Sequence, residues 1–79
     1  MSVLEKYNKS FKDSFSLEDD KKLETLKYNE IDEWDSIGHM TLIAALEENF
    51  KISFETDDIV DFSSYKKGKE ILKKYKVDI

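Results

Sequence analysis

The spacing of the apolar residues constrains the fold of this chain more than any other feature. Several segments have the apolar spacing of a helix, and in no segment do apolar and polar residues alternate. Apolar side chains recur every three or four positions, which is the period of an α-helix and not of a β-strand. The chain has no proline and only two glycines, so few positions interrupt these segments. The pattern predicts an all-α fold, a small four-helix bundle with a short third helix and a long first loop.

Residues that cap helices mark the ends of the predicted segments. Ser2, Thr56 and Ser64 precede helical patterns and have side chains that can accept a hydrogen bond from a first-turn N–H group. Residues 16–35 show no clean period and are predicted to form a long connection with a helical turn near residues 19–26. The predicted helices are residues 3–15, 36–50, 57–62 and 65–76.

The length and composition allow one domain only, residues 1–79. The chain has no cysteine, so helix packing must hold it together without disulfides or thiolate-bound metal. No stretch is apolar enough for a membrane span, and Glu5 and Lys6 come too early for the apolar core of a secretory signal. We therefore expect a soluble, cytoplasmic protein.

Charge is unevenly distributed along the chain, whose net charge is −5. Residues 30–61 contain 10 acids and one lysine, whereas residues 62–79 contain 6 lysines and 2 acids. An acidic middle would repel phosphates, which argues against nucleic acid as a partner there. It suits a protein partner with a basic patch, while the lysines are typical of the solvated face of one helix.

The tripeptide Asp35-Ser36-Ile37 lies where an acidic loop joins the second predicted helix. A serine at this position can be the N-cap of the helix, or it can carry a covalent group. A phosphate ester on Ser36 would lie at the positive end of the helix dipole, beside unpaired backbone N–H groups. The residues alone leave both roles open.

A helical wheel of residues 36–50 separates a core face from an exposed apolar strip. The strip contains Ile37, Met40 and Ala44, and Glu47 and Glu48 flank it. An apolar strip with an acidic rim is typical of a docking surface, although single exposed apolar residues are common in any protein. The predicted core face contains Leu42, Ile43, Leu46 and Phe50.

Residues 34–40 (Trp-Asp-Ser-Ile-Gly-His-Met) and 46–52 (Leu-Glu-Glu-Asn-Phe-Lys-Ile), with Ala45 before the second segment, together resemble the acyl carrier proteins. The hallmark of that family is Asp-Ser-Leu at the start of the second helix, followed by a run such as Ala-Leu-Glu-Glu-Glu-Phe. Ile37 replaces the leucine conservatively. The helix order, the long first connection, the short third helix and the length agree, so the resemblance covers the whole chain.

The resemblance implies that Ser36 is the attachment point of 4'-phosphopantetheine, whose thiol holds cargo as a thioester. A separate phosphopantetheinyl transferase would transfer the arm from coenzyme A, with Asp35 assisting in that complex. The chain itself would be a monomeric carrier and not an enzyme. Further partners would be an acyl- or aminoacyl-loading enzyme and a downstream acyltransferase or synthase. The positions that match family docking residues are Ile37, Met40, Ala44, Glu47 and Glu48.

Departures from the family pattern indicate a carrier dedicated to one specialised pathway. Gly38 and Thr41 stand where fatty-acid-synthesis carriers usually have acids, and the fourth helix is basic. Bulky residues replace the smaller aliphatics that line the family's acyl cavity, so we expect a small cavity and a short acyl or an aminoacyl cargo. These residues are Phe54, Ile59, Phe62 and Tyr65.

Two alternatives remain open from the sequence. One is an aminoacyl- or peptidyl-type carrier, and the other is an unmodified helical interaction module in which Ser36 is only the helix N-cap. His39 has no partner at catalytic or metal-binding spacing, so we expect a structural role or one beside the arm. Asp57, Asp58 and Asp61 lack the calcium-loop pattern and are predicted to be helix-capping and solvated acids, so no metal site is predicted.

Overall fold

The chain forms four α-helices and a short 3₁₀-helix in a computed structural model that describes residues 2–18 and 20–79, with the backbone alone for residues 20–22. Within these residues no strand occurs, which confirms the prediction of an all-helical chain. Residue 19, at one end of the predicted helical turn, lies outside the described residues. The elements are α1 (Val3–Phe15), a 3₁₀-helix (Asp20–Thr25), α2 (Ser36–Phe50), α3 (Thr56–Asp61) and α4 (Tyr65–Lys74).

The caps of α1 and α4 are those expected. The Oγ of Ser2 accepts a hydrogen bond from the Glu5 N–H at 3.1 Å, and that of Ser64 accepts one from the Lys67 N–H at 3.0 Å. The cap predicted for α3 is wrong, because Thr56 is the first helical residue and follows Glu55, which makes no side-chain cap bond. Helix α4 also ends earlier than predicted, at Lys74.

The core is largely aromatic, and Phe11 of α1 lies near its centre. The rings of Tyr7, Trp34 and Tyr65 surround it with centroids 5.0–5.5 Å away, each near edge-to-face. Leu42, Ile43 and Leu46 of α2 are buried as predicted, whereas Phe50 is only partly buried and packs against the edge of the core. The core thus joins α1, α2 and α4 to the long first connection.

Gly68 of α4 makes room for two aromatic side chains. A Cβ atom there would lie 2.2 Å from both the Phe62 ring and the Tyr7 hydroxyl. The atoms that approach this glycine are therefore those of side chains and not of another backbone. The Tyr7 hydroxyl donates to the Tyr65 carbonyl oxygen at 2.5 Å, and burial raises the pKa of Tyr7.

Polar contacts attach the short helix α3 to the end of α4. Asp58 is 4% exposed, and its carboxylate accepts hydrogen bonds from Lys74 Nζ at 2.6 Å and from the Tyr75 hydroxyl. The Tyr75 hydroxyl also accepts a hydrogen bond from the Glu55 N–H at 2.9 Å. The prediction that Asp58 is a solvated acid is therefore wrong, because α4 supplies a cation and a hydroxyl that replace water.

The Asp58 ion pair predicts how stability depends on pH. The hydrogen bond from Lys74, and then that from Tyr75, holds the pKa of Asp58 below its ordinary value. The Asp58 carboxylate thus binds a proton less tightly in the folded chain than in the unfolded chain, where the pKa of an aspartate is about 3.9. The ion pair therefore stabilises the chain fully at a pH above the unfolded-state pKa of Asp58. This stabilisation is lost as the pH falls through the folded-state pKa of Asp58.

We therefore expect Asp58→Asn to lower the unfolding temperature at neutral pH, and we expect the difference from wild type to shrink in acid. Thermal unfolding followed by circular dichroism at a series of pH values measures both effects. Asp57→Asn is the matched control, because Asp57 is exposed on the same helix turn. A difference between Asp58→Asn and wild type that stays constant into acid would contradict this assignment.

Candidate functional site

The N-terminus of α2 is capped by Asp35 and not by Ser36. Asp35 has an extended backbone, and its Oδ1 accepts a hydrogen bond from the Gly38 N–H at 2.8 Å. Of the two roles left open for Ser36, the N-cap is not the one it has, because the carboxylate one residue earlier already accepts from that N–H group. Ser36 is the first residue of the helix and is exposed, so its hydroxyl is available for another role.

Tyr28 of the first connection lies beside this hydroxyl, with 3.3 Å between Tyr28 Oη and Ser36 Oγ. The Tyr28 N–H donates to the Ser63 carbonyl oxygen at 2.8 Å, and the Tyr65 N–H donates to the Leu26 carbonyl oxygen at 3.0 Å. These two bonds tie the first connection to the segment between α3 and α4. They fix the backbone that carries the Tyr28 ring next to Ser36.

A hydrogen-bonded chain through His39 joins the first connection, α2 and α3. Trp34 Nε1 donates to His39 Nδ1 at 2.9 Å, and His39 Nε2 lies 2.8 Å from the Ile59 carbonyl oxygen. Because an indole N–H group only donates, His39 Nδ1 must accept and Nε2 must carry the proton. Both ring nitrogens are thus used, which agrees with the structural role expected for His39.

Gly38 allows the acidic loop to lie directly against the first turn of α2. A Cβ atom at this position would lie 1.8 Å from the Glu33 carbonyl oxygen and 3.3 Å from the Phe15 ring. Trp34, in the same loop, is fully buried and stacks on Phe15 with centroids 5.2 Å apart. The loop therefore lies next to Ser36 for two reasons. Gly38 has no side chain that would displace it, and the large side chain of Trp34 is buried in the core.

A groove of about 350 Å³ has Ser36 in its lining, together with residues of α2, of α3 and of the segments beside them. Its wall includes Met40 and Val60, which are 52% and 76% exposed. The lining residues include no aspartate, glutamate or lysine, so the surface is mainly apolar with a few hydroxyl groups. The groove is lined by Tyr28, Ser36, His39, Met40, Ile59, Val60, Phe62 and Ser63.

The residues predicted for docking lie mainly on the solvent side of α2. Ile37 is 79% exposed, and Met40, Ala44 and Glu48 are exposed as well. Glu47 is partly buried, and its Oε2 accepts a hydrogen bond from the Phe54 N–H at 2.8 Å. Glu47 therefore also has a structural role, since it holds the end of the segment between α2 and α3 next to α3.

Three groove residues were missed by sequence reasoning: Tyr28, Val60 and Ser63. Val60 could have been found, because Ile59 packs on the core and its neighbour on a helix must then point elsewhere. Tyr28 and Ser63 belong to irregular segments that have no periodicity. Only the bridge between those segments brings them to Ser36.

The described part of the chain has neither a metal-binding cluster nor a membrane-spanning helix. It contains no group of three or more His, Cys, Asp or Glu side chains arranged to hold a metal ion. None of its helices combines the length and the apolar character that crossing a membrane requires.

Comparison with known proteins finds no similar one. The chain matches no protein-family model, no curated protein and no solved structure. The resemblance to acyl carrier proteins therefore depends on the sequence pattern alone.

Proposed function

We propose that this chain is an acyl carrier protein that holds acyl intermediates on a phosphopantetheine arm attached to Ser36, in a dedicated biosynthetic pathway. The observation that carries the proposal is the position of the Ser36 hydroxyl. Ser36 is the exposed first residue of α2, and Asp35 caps the helix in its place. An apolar groove lies beside the Ser36 hydroxyl. We likewise propose that the four helices form a bundle of the acyl-carrier-protein type.

The surroundings of Ser36 fit a covalent phosphodiester. In the proposed reaction Ser36 Oγ attacks the phosphorus that bears the pantetheine in coenzyme A and forms a new P–O bond. The bond from that phosphorus to the adenosine bisphosphate breaks, and the serine proton passes to a base of the transferase. The N-terminus of α2 favours the resulting negative charge. When bound, the arm supplies a terminal thiol that carries an acyl group as a thioester.

The surroundings of Ser36 favour an acceptor role over that of a catalytic nucleophile. His39 is the only histidine of the chain, and both of its ring nitrogens bond to other groups. The group that contacts Ser36 Oγ is instead the hydroxyl of Tyr28, so no imidazole nitrogen is placed to accept the serine proton. A carrier needs no base of its own, because the transferase supplies one.

The lining of the groove favours an acyl over an aminoacyl cargo, which remains the second candidate. An ammonium group held in the groove would find no carboxylate among the lining residues.

The partners proposed are the transferase, a loading enzyme and a downstream acyltransferase or synthase. They would dock on the exposed strip of α2 through brief, charge-steered contacts. Coenzyme A chemistry places this work in the cytoplasm, and we expect the carrier to be a monomer.

Mass spectrometry after incubation with coenzyme A, Mg²⁺ and a promiscuous phosphopantetheinyl transferase tests the proposal. We expect the wild-type chain to gain one phosphopantetheine and Ser36→Ala to gain none. Since Asp35 is the cap, Ser36→Ala should leave stability nearly unchanged, whereas Asp35→Ala should cost about 1 kcal/mol of unfolding free energy. If several transferases each fail to add phosphopantetheine to the wild-type chain, the result would instead favour an unmodified helical interaction module.

A further inference from the structure

Helix α4 is strongly basic, and only some of its positive charge is neutralised within the chain. Five of its residues are lysines, and Glu70 is its one acid. Lys67 Nζ lies 4.0 Å from the Glu70 carboxylate. Lys74 Nζ lies 2.6 Å from the carboxylate of Asp58 in α3. Two of the five lysines are therefore paired with acids, and three are left.

The three remaining lysines lie together on one face of α4. Lys66, Lys69 and Lys73 follow one another at intervals of three and four residues, which places them on the side opposite to the buried residues of the helix. Lys66 and Lys73 are exposed, while Lys69 is partly buried with its Nζ 4.9 Å from the centroid of the Tyr65 ring. Among the described residues, no carboxylate lies within ion-pair distance of any of the three. We call these three residues the lysine face.

The stability of the helix does not explain this arrangement. Lysines three or four positions apart on a helix repel each other, whereas a lysine and an acid at that spacing attract. Helix α1 has the attractive arrangement, because Lys9 lies 3.3 Å from Asp13 one turn later. The lysine face keeps three unpaired cations although residues 30–61 contain ten acids. An anionic partner outside the chain would supply the missing charge.

We propose that the lysine face binds the surface of an anionic lipid bilayer. Lysines near such a surface are attracted by its acidic headgroups, and this attraction needs no apolar contact. A specific protein interface depends instead on aromatic or arginine side chains at its buried centre, where lysine is depleted. The exposed residues of α4 are only lysines and Glu70, and the chain contains no arginine. The face therefore suits a headgroup layer better than an acidic protein.

The negative charge elsewhere in the chain does not prevent this contact. Helix α4 packs against the 3₁₀-helix, whereas α2, which carries Glu47 and Glu48, packs against α1. At physiological salt, charges in water act over only about 8 Å. The chain measures 29 × 28 × 19 Å, so acids on the opposite side of the molecule are screened from a bilayer at the lysine face. The proposal goes beyond the carrier function, because it concerns a different helix from the one that carries Ser36.

Co-sedimentation of the unmodified full-length chain with lipid vesicles tests the proposal. One set of vesicles contains phosphatidylcholine alone, and in the other about a third of the lipid is phosphatidylglycerol, which is anionic. At about 0.1 M salt we expect the chain to sediment with the anionic vesicles and not with the neutral ones. At about 1 M salt, where screening shortens to about 3 Å, we expect the bound chain to be released.

Replacing single lysines with glutamine locates the contact. Each lysine near an anionic surface strengthens binding by about fivefold, so Lys73→Gln should weaken it by that factor and the triple variant of the lysine face by up to about a hundredfold. Lys66 lines a concavity together with Glu24 and Glu30, so Lys66→Gln should have a smaller effect than Lys73→Gln. Lys51→Gln is the matched control, because Lys51 is exposed at the end of α2 and its loss changes the net charge equally. Circular dichroism checks that each variant is folded.

Several outcomes would overturn the proposal. These are equal binding to neutral vesicles, no binding to anionic vesicles, and anionic binding that the folded triple variant retains. A chain that binds neither vesicle but binds a soluble glutamate polymer through the lysine face would assign that face to an acidic protein instead, and the bilayer proposal would be wrong. Because the assay uses the unmodified chain, its result does not depend on whether a transferase modifies Ser36.

Discussion

Replacing Trp34 with alanine is expected to destabilise the chain by about 3–5 kcal/mol, the usual cost of removing a large buried aromatic side chain. Trp34 is fully buried, and its ring contacts Phe11 and Phe15 of α1. Its loss would also leave His39 Nδ1 without its donor, because the indole N–H supplies that hydrogen bond. A small domain is stable by only about 5–15 kcal/mol, so this loss would remove a large part of its stability.

Urea unfolding followed by far-ultraviolet circular dichroism measures this loss, since Trp34 is the only tryptophan and its fluorescence disappears with it. Trp34→Phe separates the two contributions, because it retains an aromatic ring but cannot donate to His39. We expect it to cost less than Trp34→Ala and still more than the hydrogen bond alone, about 1 kcal/mol. A Trp34→Ala chain as stable as wild type would show that the first connection is not anchored in the core.

The helices could be predicted because each depends on local information. The apolar period of residues 3–15 and the Ser2 cap define α1 without reference to the rest of the chain, and the structure has the same bounds. The same holds for Ser64 at the start of α4. The bounds of α2 were also predictable, but its cap was not, because Asp35 and Ser36 compete for that role. The competition is decided by the extended backbone of Asp35, which a one-dimensional pattern does not contain.

The candidate site could be predicted only in part, because long-range contacts build the remainder. Ser36 and the exposed strip of α2 follow from a helical wheel, since one helix carries them. The burial of Asp58 depends on Lys74, which is 16 residues away. The Tyr28 hydroxyl reaches Ser36 only because the Tyr28 N–H pairs with the Ser63 carbonyl. Such pairings between irregular segments leave no periodic signal.

Gly38→Ala is expected to destabilise the chain, whereas the same substitution in an exposed helix usually stabilises it. In an exposed helix, alanine is more stable than glycine by about 1 kcal/mol. Here the new Cβ atom would lie 1.8 Å from the Glu33 carbonyl oxygen, a backbone atom that cannot rotate away as a side chain would. The acidic loop must move, so we expect a net loss of about 1–3 kcal/mol, the typical range for overpacking.

Thermal and urea unfolding of Gly38→Ala measure the loss, and Thr41→Ala provides the matched control. Thr41 is exposed on the same helix one turn later, and its hydroxyl bonds only within that helix, to the Ile37 carbonyl. Thr41→Ala should therefore be neutral or slightly stabilising. Because the loop that moves leads from Tyr28 to Asp35, Gly38→Ala should also slow phosphopantetheine transfer to Ser36 where Thr41→Ala does not. A Gly38→Ala chain more stable than wild type would mean that the loop yields easily and does not position Ser36.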